Sequence, residues 1–277
     1  MATSEVEQQQ LLTSGREDND DNDPSAMSLV DHLEELRWRI MKAGAAVVVG
    51  AIIAFIFWKQ IMNVLAAPLP ISTSSLDKLT GGATSATPLI TTGIGEAFTV
   101  ALKLSFVCGI ILALPVILYQ VWAFVSPGLY KHEKKHAVPF IVIGVVLFIV
   151  GVGIGYVVLR YPVDWLTTFG AGTFTQFVSA GSYLTFTSFF LLLFGIVFEL
   201  PLVLTFLAMV GIVTPQFLSQ KRAMAHLGMW VAATICTPGA DFYSPLFVGV
   251  SLSVLYELSI IMIRILVKPD RVTTAEE

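Results

Sequence analysis

The sequence predicts an all-α integral membrane protein with six transmembrane helices. Of its 277 residues, 55% are hydrophobic and only 13% are charged, about half the charged share of an ordinary soluble domain. The mean hydropathy is +0.78. A soluble globule of this size could not cover its surface with so few ionic groups, and the apolar residues are gathered in long stretches. These observations favour a polytopic membrane protein over one or two soluble domains.

The N-terminal part is predicted to be an acidic tail followed by a surface helix. Residues 1–26 hold seven acidic side chains against one base, Arg16, and lack the apolar core of a signal peptide. This composition is typical of disorder. From Ser28 to Ile40, leucine and isoleucine recur at helical spacing and form one apolar stripe. We expect this helix to lie along the cytoplasmic membrane surface and to lead into the first span.

Six apolar stretches are candidates for crossing the bilayer, which takes about 20 helical residues. The fifth has only 16 residues, and Glu257 interrupts the sixth, so both are short. The second and fourth contain Pro115 and Pro201, and each proline should free a backbone carbonyl and kink its helix. The predicted spans lie near 41–58, 97–125, 138–159, 183–212, 223–238 and 243–265.

The lysines and arginines predict the orientation. Twelve of the 16 basic residues fall on the side of the two termini, and cytoplasmic segments are the ones enriched in Lys and Arg. Both termini are therefore expected inside, with the main outer loops at about 59–96 and 160–182. The membrane domain would cover 27–268, leaving a short cytoplasmic tail at 269–277. The four bases on the outer side are Lys59, Lys78, Lys103 and Arg160.

Carboxylates in or beside the spans are candidate functional groups, because ionisable side chains are costly in lipid. Glu199 lies deep in the fourth span. It is either a site for function or partner docking, or a protonated acid that hydrogen-bonds near the carbonyl freed by Pro201. Glu35 lies off the apolar stripe and faces water or a partner, although its spacing from Arg39 also permits an intrahelical ion pair. Glu133 is the one acid among three lysines in a loop between two spans.

Two other classes of function were weighed against these residues. His132, Glu133 and His136 spell the His-Glu-x-x-His pattern of zinc proteases, which on a helix places both histidines on one face. The neighbouring lysines, the nearby Pro139 and the absence of an assigned third ligand argue against a metalloprotease. A proton-coupled small-solute transporter would use Glu199 as a relay near the midplane. With no other catalytic motif present, we expect no enzyme activity, no catalytic residue and no metal site.

Six strings occur in order along the chain: His-Leu-Glu-Glu-Leu-Arg (32–37), Ala-Pro-Leu (67–69), Leu-Pro-Val-Ile-Leu-Tyr-Gln-Val-Trp-Ala-Phe (114–124), Pro-Gly-Leu-Tyr-Lys-His-Glu (127–133), Phe-Glu-Leu-Pro (198–201) and Thr-Pro-Gly-Ala-Asp (237–241). This series resembles the TatC family, the multispanning subunit of the twin-arginine protein translocase. The resemblance covers about residues 28–268 and leaves out the acidic tail.

The resemblance implies a cupped six-span bundle in the bacterial cell membrane. Such a protein receives signal peptides carrying a paired arginine and, with single-span TatA and TatB partners, exports folded proteins using the proton-motive force. It would work as a homo-oligomer within the complex. The resemblance implies no cofactor and no nucleic-acid partner.

The resemblance assigns the signal-peptide site to Glu35 and Glu133. Two carboxylates at separate points suit two guanidinium groups, since each can form a bidentate pair whose geometry lysine cannot reproduce. The aromatic members of the site would support the peptide backbone or the arginine stems. The further members of this predicted site are His32, Arg37, Phe124 and Tyr130.

A second site is implied inside the membrane. Glu199 matches the family's intramembrane glutamate on the concave side, which contacts or admits a partner helix. The family docks its single-span partners along the fifth and sixth spans, where Thr237 matches a polar position and Asp241 belongs to the same motif. Pro245 stands where many relatives have a polar side chain such as Gln. The short fifth and sixth spans also lead to the hypothesis that the bilayer is locally thinned there.

Overall fold

In the computed structural model, the described residues are 29–69, 89–125, 137–169, 177–239 and 241–266. They form helices and short connections, with one parallel bridge between Ile90 and Ser179. The chain divides into two compact units, Met1–Lys42 and Ala43–Glu277. The helices are α1 Leu29–Ile56, α2 Trp58–Ala66, α3 Glu96–Val125, α4 Ala137–Thr168, α5 Ala180–Phe198, α6 Leu200–Met209, α7 Pro215–Gln220, α8 Arg222–Cys236 and α9 Tyr243–Leu266. The predicted tails and the loop with Tyr130, His132, Glu133 and His136 lie outside the described residues.

Five segments of the described chain are long and apolar enough to cross a membrane. They are the main part of α1, α3, α4, the joined α5 and α6, and α9. The fifth predicted span, 223–238, corresponds to α8, which has 15 residues and is therefore about 22 Å long. That length is below the roughly 30 Å of a hydrocarbon core. Length and composition alone thus give five spans rather than the predicted six.

The predicted surface helix is not a separate element. It is the beginning of α1, which runs from Leu29 to Ile56 without interruption. The reason is local: no proline or glycine lies between Leu29 and Ala43, so nothing in the sequence ends a helix there. At its other end α1 stops at Phe57, where a turn leads into α2.

Helix α4 is longer than its predicted span, which ended at residue 159. It continues to Thr168 and includes Pro162. Arg160 is exposed, but Leu159 and Val163 on either side of it are buried in the core. The core-facing stripe therefore continues past the arginine, and the helix continues with it.

Helices α4 and α5 approach each other closely at glycines. A Cβ built on Gly151 would lie 2.7 Å from the carbonyl oxygen of Phe194, and one on Gly155 would lie 2.8 Å from the Phe194 Cβ. From the other side, a Cβ on Gly195 would lie 2.5 Å from the ring of Phe148. Both rings are fully buried. Small residues at these positions let the two backbones pack at short range, as in many membrane bundles.

Helices α1 and α3 also approach each other closely at glycines. A Cβ on Gly50 would lie 2.7 Å from the carbonyl oxygen of Gly109, and one on Gly109 would lie 2.8 Å from the carbonyl oxygen of Val47. The two glycines face each other, so a side chain on either one would push the helices apart.

Helix α2 was not predicted, since its sequence was assigned to an outer loop. Its Leu65 and Ala66 are buried, and tyrosines from two spans satisfy its last carbonyls. The Tyr156 hydroxyl donates to the Val64 carbonyl at 2.9 Å, and the Tyr183 hydroxyl donates to the Leu65 carbonyl at 2.8 Å. These bonds hold the C-terminal end of α2 to α4 and α5.

Helices α8 and α9 form an antiparallel pair with a regular register. Arg222 and His226 contact Glu257, His226 also contacts Ser253, and the Trp230 ring packs on the backbone at Gly249. Each step of four residues forward along α8 is thus matched by four residues backward along α9. The short α8 therefore lies alongside α9 over most of its own length.

The α4–α5 contact can be tested with two glycines of the same helix. Gly151→Ala should lower the free energy of unfolding by about 1–3 kcal/mol, because the new methyl group meets backbone that cannot yield. A Cβ on Gly153 would have no heavy atom within 4 Å, so Gly153→Ala should be neutral or stabilising by up to about 1 kcal/mol. Thermal unfolding of the purified protein in detergent measures both. Equal midpoints for the two variants would contradict the packing described here.

Candidate functional site

The Glu35 carboxylate is held on α1 by an arginine four residues later. Arg39 Nε donates to Glu35 Oε1 at 3.0 Å, and Nη2 of the same guanidinium donates to the same oxygen. The intrahelical pair allowed by the sequence spacing is therefore formed. The second oxygen, Oε2, accepts no hydrogen bond from any described residue, and His32 Nδ1 lies 3.8 Å from it. One oxygen of Glu35 is thus bound to a guanidinium and the other is not.

The remaining members of the predicted signal-peptide site are only partly described. Arg37 is exposed on α1, and Phe124 is half-buried near the end of α3. Glu133 and Tyr130 lie outside the described residues, so the predicted pairing of Glu133 with Glu35 stays a prediction. The His132–His136 pattern is in the same stretch. Within the part of the chain that the structure describes, no group of three His, Cys, Asp or Glu side chains could hold a metal ion.

Glu199 occupies the turn between α5 and α6. Its N–H donates to the Ile196 carbonyl at 3.0 Å, a tighter turn than an α-helix makes. Pro201, the second residue of α6, has no N–H to continue the ladder. Both Glu199 carboxyl oxygens are buried and have no hydrogen-bond partner among the described residues. The carboxyl therefore makes no bond to a carbonyl that the proline frees. Helix α3, by contrast, is continuous through Pro115.

The Glu199 carboxyl group is surrounded by apolar side chains from three helices. Its Oε2 lies against Gly144 of α4, at 3.3 Å from the position a Cβ would take there. Leu118 of α3 and Leu202 of α6 approach the same point within 3 Å. A carboxyl group in such a place is unfavourable unless a further polar group reaches it.

An aromatic cluster lies next to this carboxyl group. The Trp122 ring is 4.7 Å from Phe140 and 5.5 Å from Phe206, and the two phenylalanines are 5.7 Å apart. Trp122 follows Leu118 by one turn of α3, and Phe140 precedes Gly144 by one turn of α4. The cluster therefore fixes the same three helices that surround Glu199.

Thr237 and Asp241 lie in the turn between α8 and α9, and both are buried. The Thr237 hydroxyl donates to the Thr234 carbonyl at 3.4 Å. Asp241 accepts hydrogen bonds from the Ser244 backbone N–H at 2.6 Å and from the Ser244 hydroxyl at 2.7 Å. Asp241 is therefore the N-terminal cap of α9. The structure gives both residues partners inside this turn, and their predicted role in docking stays a prediction.

Two polar networks were not foreseen from the sequence. In the first, Arg222 Nη2 lies 3.1 Å from Glu257 Oε2, and His226 Nε2 lies 3.2 Å from Glu257 Oε1. His226 Nδ1 also lies 3.2 Å from the Ser253 hydroxyl. The signal that could have revealed it is the four-residue spacing of Arg222 and His226 on one helix and of Ser253 and Glu257 on the next.

The second network is centred on Glu96, the first residue of α3. Its Oε1 accepts from the Ser179 hydroxyl at 2.7 Å and from the Gly181 N–H at 2.8 Å, at the start of α5. Its Oε2 accepts from the hydroxyl and N–H of Thr92 and from the Gly93 N–H. One carboxylate thus joins the beginnings of two helices whose residues are more than 80 positions apart.

Apolar spans packed at glycines, with carboxylates placed in or beside them, define an all-helical polytopic membrane protein. The chain matches the family described as TatC, Sec-independent protein translocase protein, over residues 31–250. It belongs to the TatC family.

Relatives and solved structures agree over most of the chain. A Sec-independent protein translocase protein TatC of Desulforapulum autotrophicum is 39% identical over 85% of this chain and 83% of its own length. One of Carboxydothermus hydrogenoformans is 35% identical over 88% and 95%, respectively. A crystal structure described as the twin arginine translocase receptor TatC superposes with a TM-score of 0.68 at 33% identity, covering 84% of this chain and 98% of that one.

Family membership confirms the resemblance seen in the sequence. The chain is a receptor subunit of the twin-arginine translocase and not an enzyme. It is a protein of the bacterial inner membrane. The small-solute transporter and the zinc metalloprotease are not favoured.

The unpaired state of Glu199 leads to a test by stability. Glu199→Leu should leave the free energy of unfolding unchanged or raise it by about 1–3 kcal/mol, because it removes a buried polar group without a partner. Asp241→Ala is the matched control, since that carboxylate caps a helix and its loss should lower stability by about 1 kcal/mol. Thermal unfolding in detergent measures both. A marked loss of stability in Glu199→Leu would show that the carboxyl group has an internal partner.

Proposed function

We propose that this subunit binds twin-arginine signal peptides on its cytoplasmic face, with Glu35 and Glu133 each binding one guanidinium group. The observation that supports this most directly is the state of Glu35. One oxygen already binds the guanidinium of Arg39, and the other has no hydrogen-bond partner among the described residues. The same carboxylate therefore has the surroundings that favour a guanidinium, and its second oxygen lacks a hydrogen bond that a second guanidinium could supply.

In this proposal the signal peptide competes with an internal arginine. An incoming guanidinium either binds Glu35 Oε2 beside Arg39 or displaces it, and the charge-assisted pair is strengthened by partial burial of the carboxylate. His32 and Arg37 lie one turn or less from Glu35 and shape the charge around it. Phe124 and Tyr130 would support the peptide backbone or the stems of its arginines.

We also propose six spans with both termini in the cytoplasm. The register between α8 and α9 supports this, because α8 runs antiparallel to α9 along most of its own length. A helix so placed would cross the membrane even though it is only about 22 Å long. The excess of Lys and Arg on the side of the termini supports the orientation. The proposed membrane domain is 27–268, preceded by an acidic segment at 1–26 and followed by a short cytoplasmic segment at 269–277.

The proposed partners are TatA- and TatB-type single-span proteins and folded cargo moved by the proton-motive force. Glu199 is the candidate contact for a partner helix, because its carboxyl group lacks an internal partner among the described residues and a polar side chain from another helix could supply one. Thr237 and Asp241 mark a second docking region on α8 and α9. We further propose that several copies of the chain assemble within one translocase.

The signal-peptide site can be tested by export and crosslinking. Glu35→Ala and Glu133→Ala should each reduce export of a twin-arginine cargo by about tenfold or more, the loss of one charge-assisted pair, without unfolding the protein. Glu34→Ala is the matched control, since Glu34 is exposed on the same turn of α1 and should retain export. Photocrosslinking of a twin-arginine peptide, with a twin-lysine peptide as the reference, measures binding directly. Undiminished crosslinking in both variants would defeat the assignment.

The short length of α8 leads to a prediction about the local thickness of the bilayer. If α8 crosses the bilayer, lipid beside α8 and α9 should be thinner than lipid beside α4, which has 32 residues, because the hydrocarbon adjusts to the length of the helix it surrounds. Cryo-electron microscopy of the protein in lipid nanodiscs measures the local thickness. Insertion of four leucines into the middle of α8 should raise the lipid thickness beside α8 and α9 towards the thickness beside α4. Uniform thickness around the native protein would refute the prediction.

A further inference from the structure

Lys103 is a basic side chain inside a span, and it borders a groove between α3 and α5. It is exposed, and no ion pair to it exists among the described residues. Lys103 and Phe189 are exposed at the rim of the groove and Thr185 is half-buried there, whereas Val107 and Ser188 are buried at its base.

The depth of this groove follows from the Glu96 network. Because the Glu96 carboxylate bonds to the Gly181 N–H, α3 and α5 begin at the same level. Lys103 comes seven residues after Glu96, about 10 Å along the axis, and Thr185 and Ser188 lie about 8 and 12 Å below the start of α5. The ammonium group and the two hydroxyl-bearing residues are therefore at one depth, on neighbouring helices.

That depth is close to the boundary between headgroups and hydrocarbon. Helix α3 has 30 residues and is about 45 Å long, so it exceeds a hydrocarbon core of about 30 Å by roughly 15 Å. If the excess is shared between the two ends, Lys103 begins only a few ångströms inside the hydrocarbon. A lysine side chain spans this distance by extending towards the interface, where the phosphate groups of lipids lie.

We propose that the groove binds an anionic phospholipid, whose phosphate contacts Lys103 and the Thr185 hydroxyl and whose acyl chain runs along the exposed ring of Phe189. Charge complementarity selects the phosphate, since the nearest carboxylate on the same face, Glu96, already accepts hydrogen bonds on both oxygens. This site is independent of signal-peptide binding, and only its assignment to the outer leaflet rests on the proposed topology.

The test uses the full-length purified protein and two lipids with identical acyl chains. Native mass spectrometry titrates phosphatidylglycerol, which is anionic, and phosphatidylethanolamine, which is zwitterionic. The native protein should bind phosphatidylglycerol more tightly. Lys103→Gln should weaken that binding by about tenfold, the loss of one charge-assisted hydrogen bond, and should weaken phosphatidylethanolamine binding less, because the ammonium group of that lipid already offsets its phosphate charge. Lys103→Arg should retain the preference.

Lys59→Gln is the matched control, because Lys59 is a base predicted to lie on the same side of the membrane but belongs to α2, away from the groove. It should bind both lipids as the native protein does. Thr185→Val keeps the shape of its side chain and should weaken phosphatidylglycerol binding by about threefold, which tests the site without changing a charge. Excess inorganic phosphate should not displace the lipid.

Three results would overturn the proposal. The first is equal affinity of the native protein for the two lipids, which would mean that Lys103 only extends into water. The second is an equal loss in Lys103→Gln and Lys59→Gln, which would indicate diffuse attraction to a negative surface. The third is full displacement by inorganic phosphate, which would make the groove an anion site and not a lipid site.

Discussion

The fold depends on close approach of backbones, because lipid offers helices no hydrophobic reason to associate with one another. At the α4–α5 contact, Gly151, Gly155 and Gly195 allow the helices to pack with Phe148 and Phe194 buried between them. Several other described elements of the larger unit contact this pair, among them α2, α3 and α9. Helix α2 is bonded to tyrosines of both helices, and the surroundings of Glu199 include Gly144 of α4, together with Leu118 of α3 and Leu202 of α6. A side chain at one of these glycines would therefore disturb more than one contact.

Where helices begin or end, side chains supply the hydrogen bonds that the backbone lacks. Glu96 accepts hydrogen bonds at the starts of both α3 and α5, and Asp241 accepts hydrogen bonds at the start of α9. Tyr156 and Tyr183 donate hydrogen bonds to carbonyls at the end of α2. Each of these polar groups is satisfied at a helix terminus, which is where a membrane protein can place polar atoms at little cost. They connect elements that lie far apart in the sequence.

Much of the fold could be predicted because hydropathy reports burial in lipid directly. The long apolar runs were found, although α4 ends at Thr168 rather than at the predicted residue 159 and α1 has no break at the predicted start of the first span. The Glu35–Arg39 pair followed from helical spacing alone. Helix α2 carries an apolar stripe at helical spacing, Trp58, Ile61, Met62 and Leu65, but it has only nine residues and lies in a stretch assigned as a whole to an outer loop, so the local signal was missed. Prediction also failed where the determining contact is not local. The pairing of Glu257 with Arg222 and His226 required the antiparallel register of two helices, which no single stretch of sequence contains.

The carboxylates of the described chain differ in one respect that bears on function. Glu96, Asp241 and Glu257 all lie in or beside the spans, and each is bound by neighbouring groups on both oxygens. Glu199 has no such partner among the described residues, although it is held among apolar side chains and beside a proline that already interrupts the helix. A buried polar group left in this state is unfavourable by about 1–3 kcal/mol. The protein could remove this penalty with a leucine, as the apolar surroundings would accept one. We propose that a hydrogen bond from a partner helix offsets this penalty, and that an incoming guanidinium does the same for the second oxygen of Glu35, which accepts no hydrogen bond from a described residue. On this proposal, partners bind where the hydrogen bonding within the described part of the chain is incomplete.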